Sequence, residues 1–446
     1  MTEDIFKAYD VRGKAGTELN AETVRTIGRA FGDWLPKTGP VVVGHDMRED
    51  SEKLATELML GLREQGREVI DIGLVTTDMT FFAVGNYGFA GGAMITASHN
   101  AAEYNGIKFA ADEAKPVGLQ SGLAEIRDLA MANKFTPAET PGQRTEKDVT
   151  DDWIAHVLTF VDTNKFRDLK IAIDAGNGMA GAIIPVLEPH VPWKIIPMYF
   201  ELDGTFPNHP ANPMEPKNLR NLQIMVEQEQ CDLGIAFDGD GDRAALVDEK
   251  GDIVSGSVTM AILTEYFLRK FPDSTIIYDV RTSRIVPETI ETNGGHGVRQ
   301  PVGTAYIKAE MRKQDAPFGG EAAGHFYFRD NWFGDSGLIA AVIAVAVVSE
   351  SGLKLSELAD QYRKKYVSIP ETNFEVEDKK AKMKEVEAAF ESGESDWMDG
   401  LTVSFPDAWF NIRPSNTEPL LRLNAEAMEA NRLNGLVTKL SELLAE

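Results

Sequence analysis

Three short strand-like runs, at residues 41–43, 69–73 and 93–95, alternate with two stretches of helical periodicity, at 51–65 and 77–84. Strand, helix, strand, helix, strand at this spacing commits a chain to a parallel sheet covered by helices, because parallel neighbours need a crossover and here each crossover is helical. The rhythm returns further on. Residues 169–174 restart a strand, and Ala175-Gly176-Asn177-Gly178-Met179-Ala180-Gly181 turns it into a helix. Residues 258–269 are helical, 275–280 form a strand, and 302–308 turn into another helix. A polar stretch at 136–152, with Pro137 and Pro141, and the pair Ile369-Pro370 mark boundaries. Beyond them the pattern changes to strands at 374–376, 401–405, 409–412 and 420–423, with helices at 379–390 and 430–445. The expected class is α/β. Three similar α/β domains with mixed or parallel sheets span 1–150, 151–255 and 256–368, and a C-terminal α+β domain spans 369–446.

Composition removes several classes of function. The chain has 446 residues, 43% of them apolar and 26% charged, which is ample for a multi-domain core. A formal net charge of −25 argues against nucleic acid or an anionic membrane as partner, since both need basic surface. The single cysteine, Cys231, excludes an internal disulfide and fits a reducing compartment. The opening Met1-Thr2-Glu3-Asp4 carries no basic and apolar leader pattern. The longest apolar run, 338–348, is too short to cross a bilayer. A cytoplasmic protein is expected.

Ligands of parallel sheets bind at the carboxyl ends of the strands. The strand at 93–95 ends in Thr96-Ala97-Ser98-His99-Asn100, with Tyr104-Asn105-Gly106-Ile107-Lys108 close behind. This sets the Ser98 hydroxyl at a strand tip, aimed at a substrate or a metal, although a serine turn on its own more often caps the next segment. Gly44-His45-Asp46-Met47-Arg48 ends its strand on the same side and reads as loop support. Asp238-Gly239-Asp240-Gly241-Asp242-Arg243 lies between apolar strands at 233–237 and 244–247. Its alternating glycines let three carboxylates fold onto one hard cation, and oxygen-only ligands suit Mg²⁺. Asp238, Asp240, Asp242 and Glu249 also match EF-hand spacing, but Arg243 stands where that loop needs glycine, and the flanks are strands. The remaining bland alternative is an acidic hairpin.

Three further stretches carry weaker signals. Gly320-Glu321-Ala322-Ala323-Gly324-His325 sets a carboxylate among small residues, where it can accept from vicinal hydroxyls, beside a histidine that titrates near neutrality. Arg413-Pro414-Ser415-Asn416-Thr417-Glu418-Pro419 offers a guanidinium, hydroxyls, an amide and backbone N–H groups to a phosphate; alone it would pass for a surface turn. Arg12, just before Gly13, can bring a guanidinium to an anion. Asp335 or Ser336 caps the apolar helix that runs to Val348.

These loops, in this order, resemble the α-D-phosphohexomutases, the phosphomannomutase/phosphoglucomutase family, over the whole chain. Ala101 stands where the family motif continues with Pro, Thr304 where His is frequent, and Ala323 where Ser is usual. The resemblance implies four domains around a central cleft and a phosphoserine at Ser98. It implies Mg²⁺ held by Ser98, Asp238, Asp240 and Asp242, with Arg12, Lys108 and His325 managing charge and protons. Tyr9, Arg243, Thr304, Glu321, Arg413, Ser415, Asn416, Thr417 and Arg422 are then the substrate contacts. The implied reaction interconverts hexose 1-phosphate and hexose 6-phosphate, of mannose or glucose, through a hexose 1,6-bisphosphate that also serves as activator. The implied partner is a small phosphosugar, and the implied assembly a monomer or homodimer. A phosphoglucosamine mutase or a Mg²⁺-dependent sugar phosphatase are the alternatives; the phosphatase has no need of a second phosphate clamp. Phosphoserine brings about −1.5 to −2 of charge, so an acidic chain must still hold a basic pocket, built from Arg12, Lys108, Arg243 and Arg413.

Overall fold

The computed structural model describes residues 1–415 and 420–445. Two compact units divide the chain, Met1–Val254 with Ala323–Ser356, and Ser255–Ala322 with Glu357–Glu446.

In the first unit, β1 (Val11–Lys14), β2 (Val41–His45), β3 (Val69–Leu74), β4 (Gly91–Ile95), β5 (Tyr104–Ala111) and β6 (Arg144–Glu146) form one sheet in the order β1-β5-β4-β2-β3-β6. The strands β2, β3, β4 and β6 run parallel, as the helical crossovers Ser51–Glu64 and Thr77–Tyr87 require. Val41, Val42, Val43, Ala93, Met94 and Ile95 are fully buried, which is why these strands read as unbroken apolar runs. At one side the sheet changes sense. Strand β5 returns antiparallel beside β4, and β1 pairs antiparallel with β5. No element is expected from the sequence at 104–111, yet this return places Lys108 opposite Met94, on the strand that leads to Ser98. A helix at Ala21–Trp34, also unexpected, starts on an Asn20 side chain that accepts from Thr23 N–H at 3.0 Å.

A second sheet repeats the design. Strands β7 (Lys170–Asp174), β8 (Lys194–Met198), β9 (Leu233–Phe237), β10 (Ala244–Asp248) and β11 (Ile253–Val254) are ordered β11-β10-β9-β7-β8. Strands β8, β7 and β9 are parallel, and β10 returns antiparallel to β9. Residues 238–243 are the connection inside that return. The helix Gly337–Ser351 is buried through Ser349. Ser336, not Asp335, caps it, with its hydroxyl oxygen accepting from Ile339 N–H at 3.1 Å.

His209 Nε2 lies 3.0 Å from Asp174 Oδ2 at the end of β7. Burial opposes the charge on His209, but the bond to Asp174 and its carboxylate outweigh it and raise the histidine pKa above the ordinary value. A raised histidine pKa contributes stability that is present below the unfolded value and is lost as pH rises through the folded one. The stability advantage of the wild type over His209→Gln, measured by urea unfolding, is therefore expected to shrink between slightly acidic and alkaline pH. An advantage that grows with pH would contradict this assignment.

The second unit opens with the helix Gly256–Lys270, and the strand Thr275–Asp279 lies between parallel partners His296–Gln300 and Phe318–Gly320. Its C-terminal part is antiparallel. Leu420–Ala427 pairs with Ala408–Pro414, Thr372–Glu375 and Val367–Ser368. The helices Lys379–Ala389 and Ala430–Ala445 contribute Val386, Leu436 and Leu440 to a core with Phe410, Leu421 and Leu423. Among the described residues no single helix is long and apolar enough to cross a membrane.

Candidate active site

Ser98 lies just past the end of β4, after Thr96 and Ala97, and has a left-handed backbone, with φ 51°. Local bonds hold it there. Its N–H donates to Thr96 Oγ1 at 2.9 Å, and Arg48 grips the loop from below. One Arg48 guanidinium donates to the carbonyls of Ser98 at 2.8 Å, Asn100 at 2.7 Å, Ala101 at 2.9 Å and Tyr104 at 3.0 Å. Arg48 is 4% exposed. Asp46 balances its charge at 3.3 Å, and the Phe206 ring lies 5.0 Å from the guanidinium carbon. The reading of residues 44–48 as loop support thus has a specific agent in Arg48. Arg12 Nη1 donates to Asn100 Oδ1 at 2.5 Å and also pairs with Asp10. Tyr9, expected at the substrate, is 42% exposed.

The loop between β9 and β10 meets this one. The Ser98 hydroxyl donates to Asp238 Oδ2 at 3.0 Å. The approach depends on Gly239, where a Cβ would stand 2.5 Å from the Ser98 carbonyl oxygen. Lys108 Nζ donates to Asp240 Oδ2 at 2.7 Å and Asp242 Oδ2 at 2.6 Å. Arg243 Nε donates to Asp238 Oδ2 at 3.1 Å. Burial opposes the Lys108 charge, but Asp240 and Asp242 outweigh it and hold its pKa well above the usual lysine value, so Lys108 carries charge and keeps its proton. Burial and then the charges of Asp242 and Asp240 push Asp238 up to about 8.

The three carboxylates suit a hard divalent cation. One oxygen from each of Asp238, Asp240 and Asp242 lies within 4.8 Å of the others, and all three residues are buried. Asp240 Oδ1 and Asp242 Oδ1 are buried without a hydrogen-bond partner, a costly state that a cation would relieve.

Two histidines border the cluster. His325 Nδ1 lies 2.9 Å from Asp335 Oδ2, next to the antiparallel pair Phe326–Phe328 and Gly334–Asp335. Burial lowers its pKa, but Asp335 and Asp242 prevail and raise it above the ordinary histidine value. His99, absent from the expected site, sits with Nδ1 3.1 Å from Ser98 Oγ and accepts from Arg243 Nη2. Burial, Arg243 and Arg12 push its pKa down to about 2, so His99 is a neutral imidazole. Its place beside Ser98 in the sequence is the only signal that could have marked it.

The second unit gathers the other expected residues. Glu321 follows the strand Phe318–Gly320, and its Oε1 accepts from Gly303 N–H at 2.9 Å, the residue before Thr304. Thr304 opens the helix Thr304–Gln314. Arg281, missed from sequence, lies 3.7 Å from Glu321 and donates to Asp279 Oδ2 at 2.6 Å. It stands just past the carboxyl end of the strand Thr275–Asp279, so the rule that drew attention to Ser98 would have found it. Arg413 and Arg422 are opposite one another across the hairpin strands and share Glu371 at 3.1 Å and 3.3 Å. The Ser415 carbonyl accepts from Lys379 Nζ at 2.9 Å. Asn416 and Thr417 lie outside the described residues.

Comparison with known proteins matches the chain to one family. Its models match in chain order: Phosphoglucomutase/phosphomannomutase alpha/beta/alpha domain I over residues 3–136, domain II over 151–251, domain III over 255–366, and the C-terminal domain over 371–443. A relative from Xanthomonas campestris pv. campestris, described as phosphohexose mutases, is 40% identical over 448 residues, covering 100% of each chain. The chain belongs to the phosphoglucomutase/phosphomannomutase family. A phosphomannomutase from Salmonella montevideo is 38% identical over 432 residues, covering 95% of this chain and 94% of its own. The crystal structure of a phosphoglucomutase/phosphomannomutase family protein from Burkholderia thailandensis superposes with a TM-score of 0.92 at 30% identity, covering 100% of this chain and 97% of that one. The protein is a phosphohexomutase, an isomerase of the intramolecular phosphotransferase type.

Proposed function

We propose that this phosphohexomutase interconverts the 1- and 6-phosphates of mannose or glucose, with Ser98 as the phosphoryl carrier and a hexose 1,6-bisphosphate as the intermediate. The observation that carries the proposal is the convergence at one serine. The Ser98 hydroxyl donates to Asp238 at 3.0 Å, and Lys108 and Arg243 sit on the same carboxylate cluster. A phosphatase needs the serine and the carboxylates; the guanidinium pair Arg413 and Arg422 in the second unit suits a substrate with a second phosphate.

The steps follow from charge and geometry. A sugar hydroxyl attacks the phosphorus on Ser98, the bond from phosphorus to Ser98 Oγ breaks, and the sugar leaves the step as a 1,6-bisphosphate. His325, held by Asp335, takes the proton of the attacking hydroxyl. Lys108, Arg243 and Arg12 offset the charge on the transferring group. In the reverse half, Ser98 Oγ attacks the phosphorus of the other phosphate and the bond from that phosphorus to its sugar oxygen breaks. The freed sugar oxygen takes back the proton held by His325, and the sugar is released with its phosphate moved. Asp238, Asp240 and Asp242, with an oxygen of the Ser98 phosphoryl group, would hold Mg²⁺, which supplies further charge neutralisation. Glu321 accepts from sugar hydroxyls, and Arg413 with Ser415 holds the phosphate that is not in transfer. Thr304, Arg422 and Tyr9 complete the proposed contacts. A trace of hexose 1,6-bisphosphate serves as activator by phosphorylating Ser98.

Phosphorus NMR of the protein with Mg²⁺, a trace of glucose 1,6-bisphosphate, and mannose 1-phosphate or glucose 1-phosphate tests this reading. Growth of the 6-phosphate without inorganic phosphate is the expected result. Inorganic phosphate as the sole product would overturn it in favour of a phosphatase.

A further inference from the structure

The register of the hairpin sets Arg413 directly opposite Arg422. Like charges facing one another across an antiparallel pair are unfavourable on their own. Each guanidinium also carries a buried Nε without a hydrogen-bond partner. The group that relieves the repulsion comes from elsewhere in the unit. Glu371, just after Pro370, turns its carboxylate onto both arginines. Its Oε2 lies 3.1 Å from Arg413 Nη2 and its Oε1 lies 3.3 Å from Arg422 Nη1. Asn424 Nδ2 donates to the same Oε2 at 3.1 Å. Burial disfavours the Glu371 charge, but Arg413, Asn424, Arg281 and Arg422 outweigh burial and hold the carboxyl below the usual range.

Two oxygens spread over two guanidiniums present to them the charge and fork geometry of one edge of a phosphate. We propose that Glu371 is a built-in competitor for the substrate phosphate, occupying Arg413 and Arg422 until a phosphosugar displaces it. This rests on the reading of Arg413 as the ligand of the phosphate not in transfer. The consequence is a clamp that lets go. Two bare guanidiniums would hold a phosphate dianion through several charge-assisted bonds and release it slowly. A bisphosphate that must give up one phosphate and present the other needs a clamp with a fast off-rate. Glu371 is a positioning residue in this scheme: it touches the arginines, and it sets how long they keep the ligand.

Isothermal titration calorimetry with glucose 1-phosphate, at one salt concentration, separates the possibilities across wild type, Glu371→Gln and Arg413→Ala. Glu371→Gln keeps the shape and removes the competing charge. It is expected to bind roughly tenfold more tightly than wild type, with KM and kcat both lowered because release slows. A purely structural Glu371 would instead give weaker binding and unchanged or raised KM, and that result, or affinity equal to wild type, overturns the proposal. Arg413→Ala with wild-type affinity overturns the clamp reading itself. Loss of binding in Arg413→Ala together with no gain in Glu371→Gln overturns only the role of Glu371. Crystals of the wild-type protein soaked in glucose 1-phosphate give a readout without a variant. Phosphate on Arg413 with Glu371 swung away is expected, and phosphate there with Glu371 still bonded to both arginines contradicts it.

Discussion

Ser98→Ala is expected to abolish turnover, with kcat lowered by roughly ten-thousand-fold or more, while the protein still folds and still binds phosphosugar. The size follows from the role. A carrier cannot be replaced by its neighbours: of the groups around Ser98, Lys108 keeps its proton, His99 is locked against Arg243, and the carboxylates lie in the charged cluster. The small structural cost follows from what the substitution leaves intact. The bonds that shape the loop run through the Ser98 backbone, from its N–H to Thr96 and from Arg48 to its carbonyl, and alanine retains them. The hydroxyl bond to Asp238 is lost, at a cost of about 1 kcal/mol. A coupled assay of hexose 6-phosphate formation, with a circular-dichroism melt on the same sample, checks both halves. Activity near wild type would remove Ser98 from the chemistry.

The second large effect concerns a residue that touches no reacting atom. Arg48→Met is expected to lower kcat about a hundredfold with little change in KM, and to destabilise the protein by about 3–5 kcal/mol. Four loop carbonyls lose their donor at once, and Asp46 is left as a buried charge whose partner is gone. The Ser98 loop then has no fixed seat beneath it, and a misplaced nucleophile forfeits its alignment. Arg48→Lys is expected to recover stability only in part, since one ammonium cannot fork to four carbonyls. Steady-state kinetics and urea unfolding on both variants provide the check. An Arg48→Met protein with wild-type kcat would mean that the loop is shaped without the guanidinium.

What could be read from the chain alone divides along a physical line. Features set by neighbours in sequence were legible. The apolar runs before Ser98 and Asp238 announce buried strands, the glycines between the aspartates announce a curled loop, and the pair Asp335-Ser336 announces a helix start. Features set by register between distant strands were not. Lys108 reaches Asp240 and Asp242 because β5 folds back on β4, and nothing in residues 104–111 states that pairing. Arg422 shares a partner with Arg413 because of a hairpin register. Glu371 carries no sequence signal at all: an acidic residue after a proline is ordinary, and only the fold brings it onto two arginines. Arg48 lies between these cases. Its place after a strand suggested support for the loop, but its four carbonyl bonds depend on how residues 98–104 fold over it.

Covalent capture of the phosphoryl group is the most direct test of the central claim. The protein is loaded with Mg²⁺ and hexose 1,6-bisphosphate carrying radiolabelled phosphorus, digested and mapped, and a parallel sample is chased with unlabelled hexose 1-phosphate. Label confined to the peptide that holds Ser98, and chased into sugar bisphosphate and hexose 6-phosphate, is the expected result. A protein that takes up no label, or that sheds it only as inorganic phosphate, would contradict Ser98 as the carrier between the two ends of the sugar.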